Sequence, residues 1–158
     1  MARRVYFAFH YKDVASFRAN VVRNSWVTKP DREEAGFFDE SLWEHAKTDG
    51  EDAVKRLINK ALEGTTVTVV LIGAETSTRK WVKYEINQSW NKDNGLIGIY
   101  IHNIKDKNEK TDVKGKDPFV ELGYKGIITY DWILDKGYEN LGDWVEDAYD
   151  RAQKRQKE

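Results

Sequence analysis

A buried strand that leads directly into an amphipathic helix is the feature that most constrains the fold of this chain. Residues 67–72 read VTVVLI, a near-continuous apolar run that ends at Gly73. Such a run is typical of a central parallel strand that helices cover on both faces. A polar turn and a helix over about 78–91 follow, with Ser77 or Thr78 predicted as the N-cap. In a parallel sheet, this turn lies at the edge where open α/β sheets bind ligands.

The composition indicates one compact domain and excludes several kinds of site. The 158 residues are 40% hydrophobic and 34% charged, and the net charge of −1 favours neither nucleic acid nor an anionic membrane as a partner. The chain has no cysteine, which excludes disulfides and a cysteine nucleophile and fits a cytoplasmic protein. No apolar run approaches ~18 residues, so we expect no membrane span. We predict a single domain over residues 1–158.

Strands and helices alternate along nearly the whole chain. The predicted strands, which are short and rich in apolar or aromatic residues, are Arg4–His10, 67–73, Gly95–Ile101, Gly126–Tyr130 and a short edge strand at Gly36–Asp39. The predicted helices, which carry apolar residues at helical spacing, are Val14–Asn24, Glu51–Glu63, 78–91 and Asn140–Gln153. This order predicts an α/β, flavodoxin-like fold: a five-stranded parallel sheet in the order 2-1-3-4-5, with helices on both faces.

Two segments between these elements are predicted to be loops. Ser25–Gly50 is much longer than the usual connection and is rich in aromatic and polar residues, which is often a sign of function. Lys105–Lys116, KDKNEKTDVKGK, is predicted to be a mobile loop. At the helix ends, Asp13 is the predicted N-cap of the first helix and Gly64 the predicted C′ residue of the second.

The predicted strand order places a ligand-binding crevice between the first and third strands. Phe9 and His10 end the first strand. His10 is therefore a candidate site residue, with a half-buried histidine bonded to the backbone as the alternative. In the long loop, Asp39, Ser41 and Trp43 are further candidates, with a capping and turn cluster as the alternative.

Several familiar α/β chemistries are excluded by missing motifs. The chain has no GxxxxGK[ST] loop, no GxGxxG after the first strand and no GxSxG elbow. The turn HYKDVAS lacks a flavodoxin phosphate cradle, and the acidic residues of a phosphoryl-accepting receiver domain are absent. The three histidines, His10, His45 and His102, are scattered, so we expect no metal site.

The helix after the central strand carries the best candidate for chemistry. Trp81 and Glu85 are four residues apart and therefore lie on one helix face near the predicted crevice. The alternative for Glu85 is a surface carboxylate that pairs with Lys80 or Arg79, and the alternative for Trp81 is an ordinary core or rim aromatic. Spacing alone does not separate these interpretations.

Three stretches together resemble the TIR (Toll/interleukin-1 receptor) domain superfamily in its bacterial TIR-like branch. RVYFAFHYKD at 4–13 is similar to the first TIR box, with Ala8 in place of the usual serine. VTVVLIGAETSTRKWVKYEI at 67–86 is similar to the TIR strand and WxxxE helix, and IITYDW with GYENLGDWVEDA is similar to the closing strand and helix. The resemblance covers about residues 4–150 and is closest to TIR-like proteins of Thoeris anti-phage defence systems.

This resemblance implies cleavage of the nicotinamide–ribose bond of NAD, with NAD as substrate and no further cofactor. The glutamate of the WxxxE segment is catalytic in that family, which implies this role for Glu85. The predicted substrate-binding residues, which include aromatic rings to stack on nicotinamide or adenine, are Phe7, Phe9, His10, Asp39, Ser41, Trp43 and Trp81. Thoeris TIR proteins are understood to make a cyclic ADP-ribose isomer that activates a separate effector protein.

Two other functions are compatible with the same sequence. One is a non-catalytic TIR-like scaffold that signals by self-association, with the aromatic loop as its interface and Glu85 as a structural residue. The other is an enzyme similar to nucleoside deoxyribosyltransferases, which share the architecture and a catalytic glutamate. The sequence does not identify the isomer, the trigger or the number of subunits, although a homo-oligomer is compatible with it.

Overall fold

A computed structural model of the chain describes residues 3–38 and 40–156, and within them the chain forms one five-stranded sheet. All neighbouring strands pair in parallel, in the order β2-β1-β3-β4-β5. The strands, in chain order, are β1 (Arg3–Ala8), β2 (Arg32–Ala35), β3 (Val67–Ile72), β4 (Gly95–Tyr100) and β5 (Ile128–Asp131). The predicted fold class and strand order are confirmed.

Helices connect consecutive strands. In chain order they are α1 (Lys12–Ala15), α2 (Arg18–Val27), α3 (Glu40–Asp49), α4 (Glu51–Leu62), α5 (Lys80–Asn91), α6 (Pro118–Glu121) and α7 (Gly137–Gln156), with a 3-10 turn at Thr76–Thr78 before α5. Gly64 has a positive φ of 77° just after α4, which confirms it as the residue that ends this helix. Of the helices described here, none is both long and apolar enough to cross a membrane.

The sheet separates two apolar layers, because successive side chains of a strand point to opposite faces. Val5 and Phe7 of β1 belong to the first layer, in which α2 and α7 pack on the sheet. Tyr6 and Ala8 belong to the second layer, in which α4 and α5 pack on the sheet. Helices therefore cover both faces, and all six residues of β3 are buried between the two layers. This confirms β3 as the predicted central strand.

The prediction of a long loop over Ser25–Gly50 is wrong. This segment contains the end of α2, the strand β2 and the helix α3. The edge strand is Arg32–Ala35, not Gly36–Asp39, because the charged sequence REEA meets solvent along one side and has no apolar run to reveal it. The strand ends at Gly36, where a φ of +94° and the nearby carbonyl oxygen of Phe7 leave no room for a side chain.

The predicted helix over Val14–Asn24 is in fact two helices. The chain breaks at Phe17, whose φ of 68° is left-handed, so α1 ends before it and α2 starts after it. The helical spacing of Val14, Phe17, Val21 and Val22 predicts that Phe17 lies on the apolar side of this helix, but Phe17 is half exposed. Asp13 is not an N-cap, because it lies inside α1, where Tyr11 occupies the cap position.

Candidate active site

The turn after β3 is held by backbone and hydroxyl contacts rather than by a capped helix start. The N–H of Gly73 donates to the Thr76 hydroxyl oxygen at 2.8 Å, which closes a 3-10 turn. The following helix, α5, begins at Lys80 with Arg79 in the cap position. The prediction that Ser77 or Thr78 caps this helix is wrong, since both lie inside the 3-10 turn.

Glu85 lies on the inner face of α5 and is 5% exposed. The hydroxyl of Tyr6, from the middle of β1, donates a hydrogen bond to the Glu85 carboxylate. Lys80 pairs with Glu51 instead, and Arg79 pairs with Glu75. The interpretation of Glu85 as a surface carboxylate with a basic partner on its own helix is therefore wrong.

A buried chain of hydroxyl groups fixes the helix turn that carries Glu85. The Ser89 hydroxyl donates to the Glu85 backbone carbonyl at 2.7 Å and lies 2.7 Å from the Thr68 hydroxyl of β3. Asn94 donates its side-chain N–H to the same Thr68 oxygen at 3.1 Å. These contacts tie α5 to the central strand, so the position of Glu85 is set by the core of the domain.

Burial raises the pKa of the Glu85 carboxyl to about 8, and the hydrogen bond from Tyr6 acts in the opposite direction. The pKa of Tyr6 is raised well above its ordinary value, first by burial and then by the nearby Glu85. Burial is the larger influence on the pKa of both groups, and among the described residues each group is the main charged or hydrogen-bonding influence on the other. A buried carboxyl with such a shifted pKa is a candidate functional group, because structural cores seldom retain one.

His10 lies at the end of β1, beside the turn that precedes α5. Its Nδ1 accepts a hydrogen bond from the Lys12 backbone N–H at 3.4 Å, and its ring lies 4.8 Å from that of Tyr11. Burial lowers the pKa of His10, and Arg79 lowers it further. The structure therefore places His10 at the edge between β1 and β3, while its role in binding stays a prediction.

The aromatic candidates lie on opposite sides of the sheet. Trp43 and Trp81 pack on the same layer as Glu85; Trp43 stacks on Phe38 with ring centroids 5.7 Å apart. Phe7 and Phe9 pack in the opposite layer, where Phe7 is fully buried. The structure thus groups Trp43 and Trp81 with Glu85 and separates Phe7 and Phe9 from it. Their predicted roles as substrate-binding residues are not settled by this placement.

Trp81 also borders an open groove on the outer side of α5. The groove has a volume of about 500 Å³, and Lys55, Lys80 and Tyr84 line it together with Trp81. Asp39 lies outside the described residues, and so does the side chain of Ser41, although the Ser41 backbone belongs to α3. The predicted roles of these two residues therefore stay predictions.

The long loop after β4 folds back over the carboxyl edge of the sheet. Arg18, which is 5% exposed, donates hydrogen bonds to the carbonyls of Ile104 and Lys110, each at 2.8 Å. Its guanidinium also lies 3.8 Å from the carboxylates of Asp106 and Asp112. The segment that the sequence predicts as a mobile loop is therefore anchored by one buried arginine.

Three residues of this region are absent from the sequence-based site: Tyr6, Asp13 and Arg18. Tyr6 occupies the strand face opposite to Phe7, and its alternation with Phe7 was the signal that could have linked it to α5. Asp13 and Arg18 had no such signal, because their burial depends on the break at Phe17 and on the loop that returns from β4.

No group of three or more His, Cys, Asp or Glu side chains is arranged to hold a metal ion within the described parts of the chain. The central feature of the site is a buried carboxyl on the inner face of α5, with the Tyr6 hydroxyl as its hydrogen-bond donor. Such a site suits a reaction whose main requirement is a fixed negative charge opposite a developing positive one.

Sequence comparisons identify the family of this chain. Residues 6–106 match the family described as Thoeris protein ThsB, TIR-like domain. A protein of Bacillus cereus (strain MSX-D12) named "Putative cyclic ADP-D-ribose synthase ThsB1" is 52% identical over 145 residues, which cover 88% of this chain and 76% of that protein. The chain belongs to the family of TIR-like ThsB proteins of Thoeris systems, and the predicted resemblance is confirmed.

Proposed function

We propose that this chain cleaves the nicotinamide–ribose bond of NAD and converts the remainder into a cyclic ADP-ribose isomer that signals in anti-phage defence. Its family and the name of its Bacillus cereus relative support this activity. The observation that carries the proposal is the buried Glu85 carboxyl, which lies at the glutamate of the WxxxE segment. A structural glutamate would gain little from a position that penalises its charged form.

The chemistry requires one bond to break and one to form. The ribosyl C1′–nitrogen bond breaks, and its electron pair leaves with neutral nicotinamide, so the leaving group needs no acid. The ribosyl carbon becomes positively charged, and the Glu85 carboxylate stabilises it as glycosidase carboxylates do. A nucleophilic group of the same ADP-ribose then bonds to this carbon and loses a proton, and proximity lets it compete with water.

The raised pKa of Glu85 has a consequence for this mechanism. The ionised carboxylate is the active form, whereas burial favours the neutral form in the free protein. The nicotinamide ring of NAD is cationic, so bound substrate lowers the pKa of the nearby carboxyl. The substrate thereby generates the charge that its own cleavage uses.

We also propose a substrate and a downstream partner for this activity. We propose NAD as the substrate without a further cofactor, and a Thoeris effector protein as the receiver of the nucleotide product. Assembly of several copies and a cytoplasmic location stay predictions. The products are small molecules, so the effector need not contact this chain to be activated.

The second candidate function is a signalling scaffold without catalysis, in which Glu85 is a structural residue. With 5% exposure, its carboxyl offers a substrate almost no access in this conformation, which is the observation in favour of a non-catalytic TIR-like scaffold. Incubation of the chain with NAD, followed by mass spectrometry for nicotinamide and ADP-ribose isomers, separates the two functions. The same measurement in lysates of phage-infected cells is made in the presence of any factor that activates the enzyme during infection. Products in either setting support the enzyme, and their absence in both supports the scaffold.

A further inference from the structure

Asp13 is a buried carboxylate without a hydrogen-bond donor. It lies in α1, five residues after the end of β1, and is 8% exposed. Within residues 3–38 and 40–156, Asp13 accepts a side-chain hydrogen bond only at its backbone carbonyl, from the Ser16 hydroxyl, and none at its carboxylate. The carboxylate oxygens are not among the fully enclosed side-chain atoms that lack a partner, so they remain open to a hydrogen-bond donor from water or a ligand.

The carboxyl group of Asp13 packs directly on the backbone at the end of β3. A Cβ atom added to Gly73 would lie 2.5 and 2.6 Å from the two carboxylate oxygens. Glycine at this position therefore makes the space that the carboxylate occupies. Asp13 thus lies between the carboxyl ends of β1 and β3, which is the point where doubly wound sheets bind nucleotides.

The charges that face Asp13 come from three elements. Burial raises its pKa to about 7; Arg18 of α2 opposes this change, while Asp112 of the β4–α6 loop and Glu75 of the turn after β3 add to it. Arg18 is committed to the carbonyls of Ile104 and Lys110. Arg18 consequently offsets the charge of Asp13 without donating a hydrogen bond to it.

We propose that Asp13 binds the substrate, its carboxylate accepting a hydrogen bond from a hydroxyl of the ribose that is not cleaved, on the adenosine side of NAD. This inference rests on the proposed function. Asp13 faces Arg18 of α2, a helix that packs in the first layer, whereas Glu85 lies in the layer of α4 and α5. A dinucleotide that crosses the sheet edge between β1 and β3 presents one ribose to each layer. Carboxylates at such edges commonly bind ribose hydroxyls.

A double-mutant cycle between enzyme and substrate tests this contact. The wild-type chain and Asp13→Asn are compared on NAD and on NAD analogues that carry 2′-deoxyadenosine or 3′-deoxyadenosine. With wild type, at least one analogue should lower kcat/KM by roughly tenfold to a hundredfold. Asp13→Asn should lower kcat/KM for NAD by a similar factor and show no further loss with that analogue.

Two outcomes overturn the proposal. In the first, neither analogue lowers kcat/KM in wild type. In the second, the analogue lowers kcat/KM by the same factor in Asp13→Asn as in wild type. Asp150→Asn, an exposed change on α7, is the matched control and should behave as wild type. If Asp13→Asn does not fold, Gly73→Ala serves instead, because its Cβ displaces the carboxylate and should reduce the same discrimination. Unchanged discrimination in a folded Gly73→Ala chain contradicts the contact.

A binding measurement separates this proposal from the catalytic one. Calorimetry of NAD with Glu85→Gln and with the double variant Asp13→Asn/Glu85→Gln requires no turnover. Weaker binding by the double variant, by roughly tenfold or more, supports the contact. Equal affinities overturn it, whatever the outcome of the NAD cleavage assay.

Discussion

The Tyr6 hydroxyl donates a hydrogen bond to the Glu85 carboxylate, and both side chains are buried in the layer between the sheet and α5. The first strand of the chain thus holds the residue that we propose as catalytic, 79 positions further on. Among the residues that the structure describes, Tyr6 is the one group that favours the ionised form of Glu85 against burial. It therefore connects the packing of the core with the proton that the proposed chemistry must remove.

Replacement of Tyr6 by phenylalanine should alter the pH dependence of NAD cleavage. Tyr6→Phe keeps the ring and removes the donor, so the pKa of Glu85 rises further and less of the carboxylate is ionised at neutral pH. We expect kcat/KM near pH 7 to fall by about tenfold, and the acid limb of the pH profile to move to higher pH. Nicotinamide release measured across the pH range checks both effects.

Tyr84→Phe is the matched control for this experiment. Tyr84 lies one residue before Glu85 on the same helix, but its hydroxyl bonds to Asn59 at the surface, at 3.1 Å. This variant should leave the acid limb in place. An unshifted limb in Tyr6→Phe, with the fold retained, would show that the contact does not tune Glu85.

The stability of the chain should depend on pH through Glu85. Burial raises its pKa from the ordinary 4.5 to about 8 in the folded chain, so the folded state binds this proton more tightly than the unfolded state. This stabilising effect is complete below the unfolded pKa and is lost as pH rises through the folded pKa. Glutamine cannot ionise, so Glu85→Gln should exceed wild type in stability at about pH 9, on the order of a few kcal/mol.

Urea unfolding at several pH values measures this difference, which should shrink toward about pH 5. Glu121→Gln, an exposed change on α6, should show no such trend. A Glu85→Gln chain that is less stable than wild type at alkaline pH would identify the ionised carboxylate as a stabilising group and refute this assignment of its environment.

Arg18 should control the order of the loop after β4. Its hydrogen bonds to Ile104 and Lys110 are charge-assisted, and their loss costs roughly 1.5–3 kcal/mol each. Arg18→Gln should therefore increase amide exchange in residues 104–112 by at least about tenfold. Hydrogen exchange detected by mass spectrometry checks this.

Arg23→Gln is a suitable comparison, since Arg23 pairs with Glu34 at 3.0 Å near the opposite edge of the sheet. That variant should leave exchange in residues 104–112 unchanged. Equal protection of the loop in wild type and Arg18→Gln would mean that other contacts hold the loop.

The sequence was sufficient to predict the elements whose environment is uniform. The apolar run of β3, the alternation of strands and helices, and the apolar residues of α4 at helical spacing were enough to predict a parallel sheet covered by helices. Such elements are buried on both faces or on one continuous stripe, so their patterns reflect the tertiary structure closely.

Elements at the margin of the sheet were predicted poorly, for physical reasons. The edge strand β2 carries the charged sequence REEA, whereas the aromatic Phe37 and Phe38 beside it pack as loop residues on opposite layers. The break between α1 and α2 needs a left-handed backbone at Phe17, which phenylalanine rarely adopts, so the local sequence does not predict it.

The candidate site was also predicted only in part, because some of its features are local and others depend on the tertiary structure. The chemical nature and helix position of Glu85 were visible in the sequence, but its burial and its partner Tyr6 depend on which face of β1 meets α5. A surface pairing with Lys80 or Arg79 looked equally reasonable from helical spacing. Those basic residues pair with Glu51 and Glu75, which belong to other segments and could not be assigned from the sequence.

The most direct test of the account compares NAD turnover by wild type, Glu85→Gln and the control Glu121→Gln, with circular dichroism to verify the fold. Mass spectrometry should detect nicotinamide and a cyclic ADP-ribose isomer with wild type and the control. Glu85→Gln should be folded, should release nicotinamide at least about a thousandfold more slowly and should give no detectable cyclic product. Nicotinamide release by a folded Glu85→Gln chain at the wild-type rate would contradict the catalytic role of Glu85.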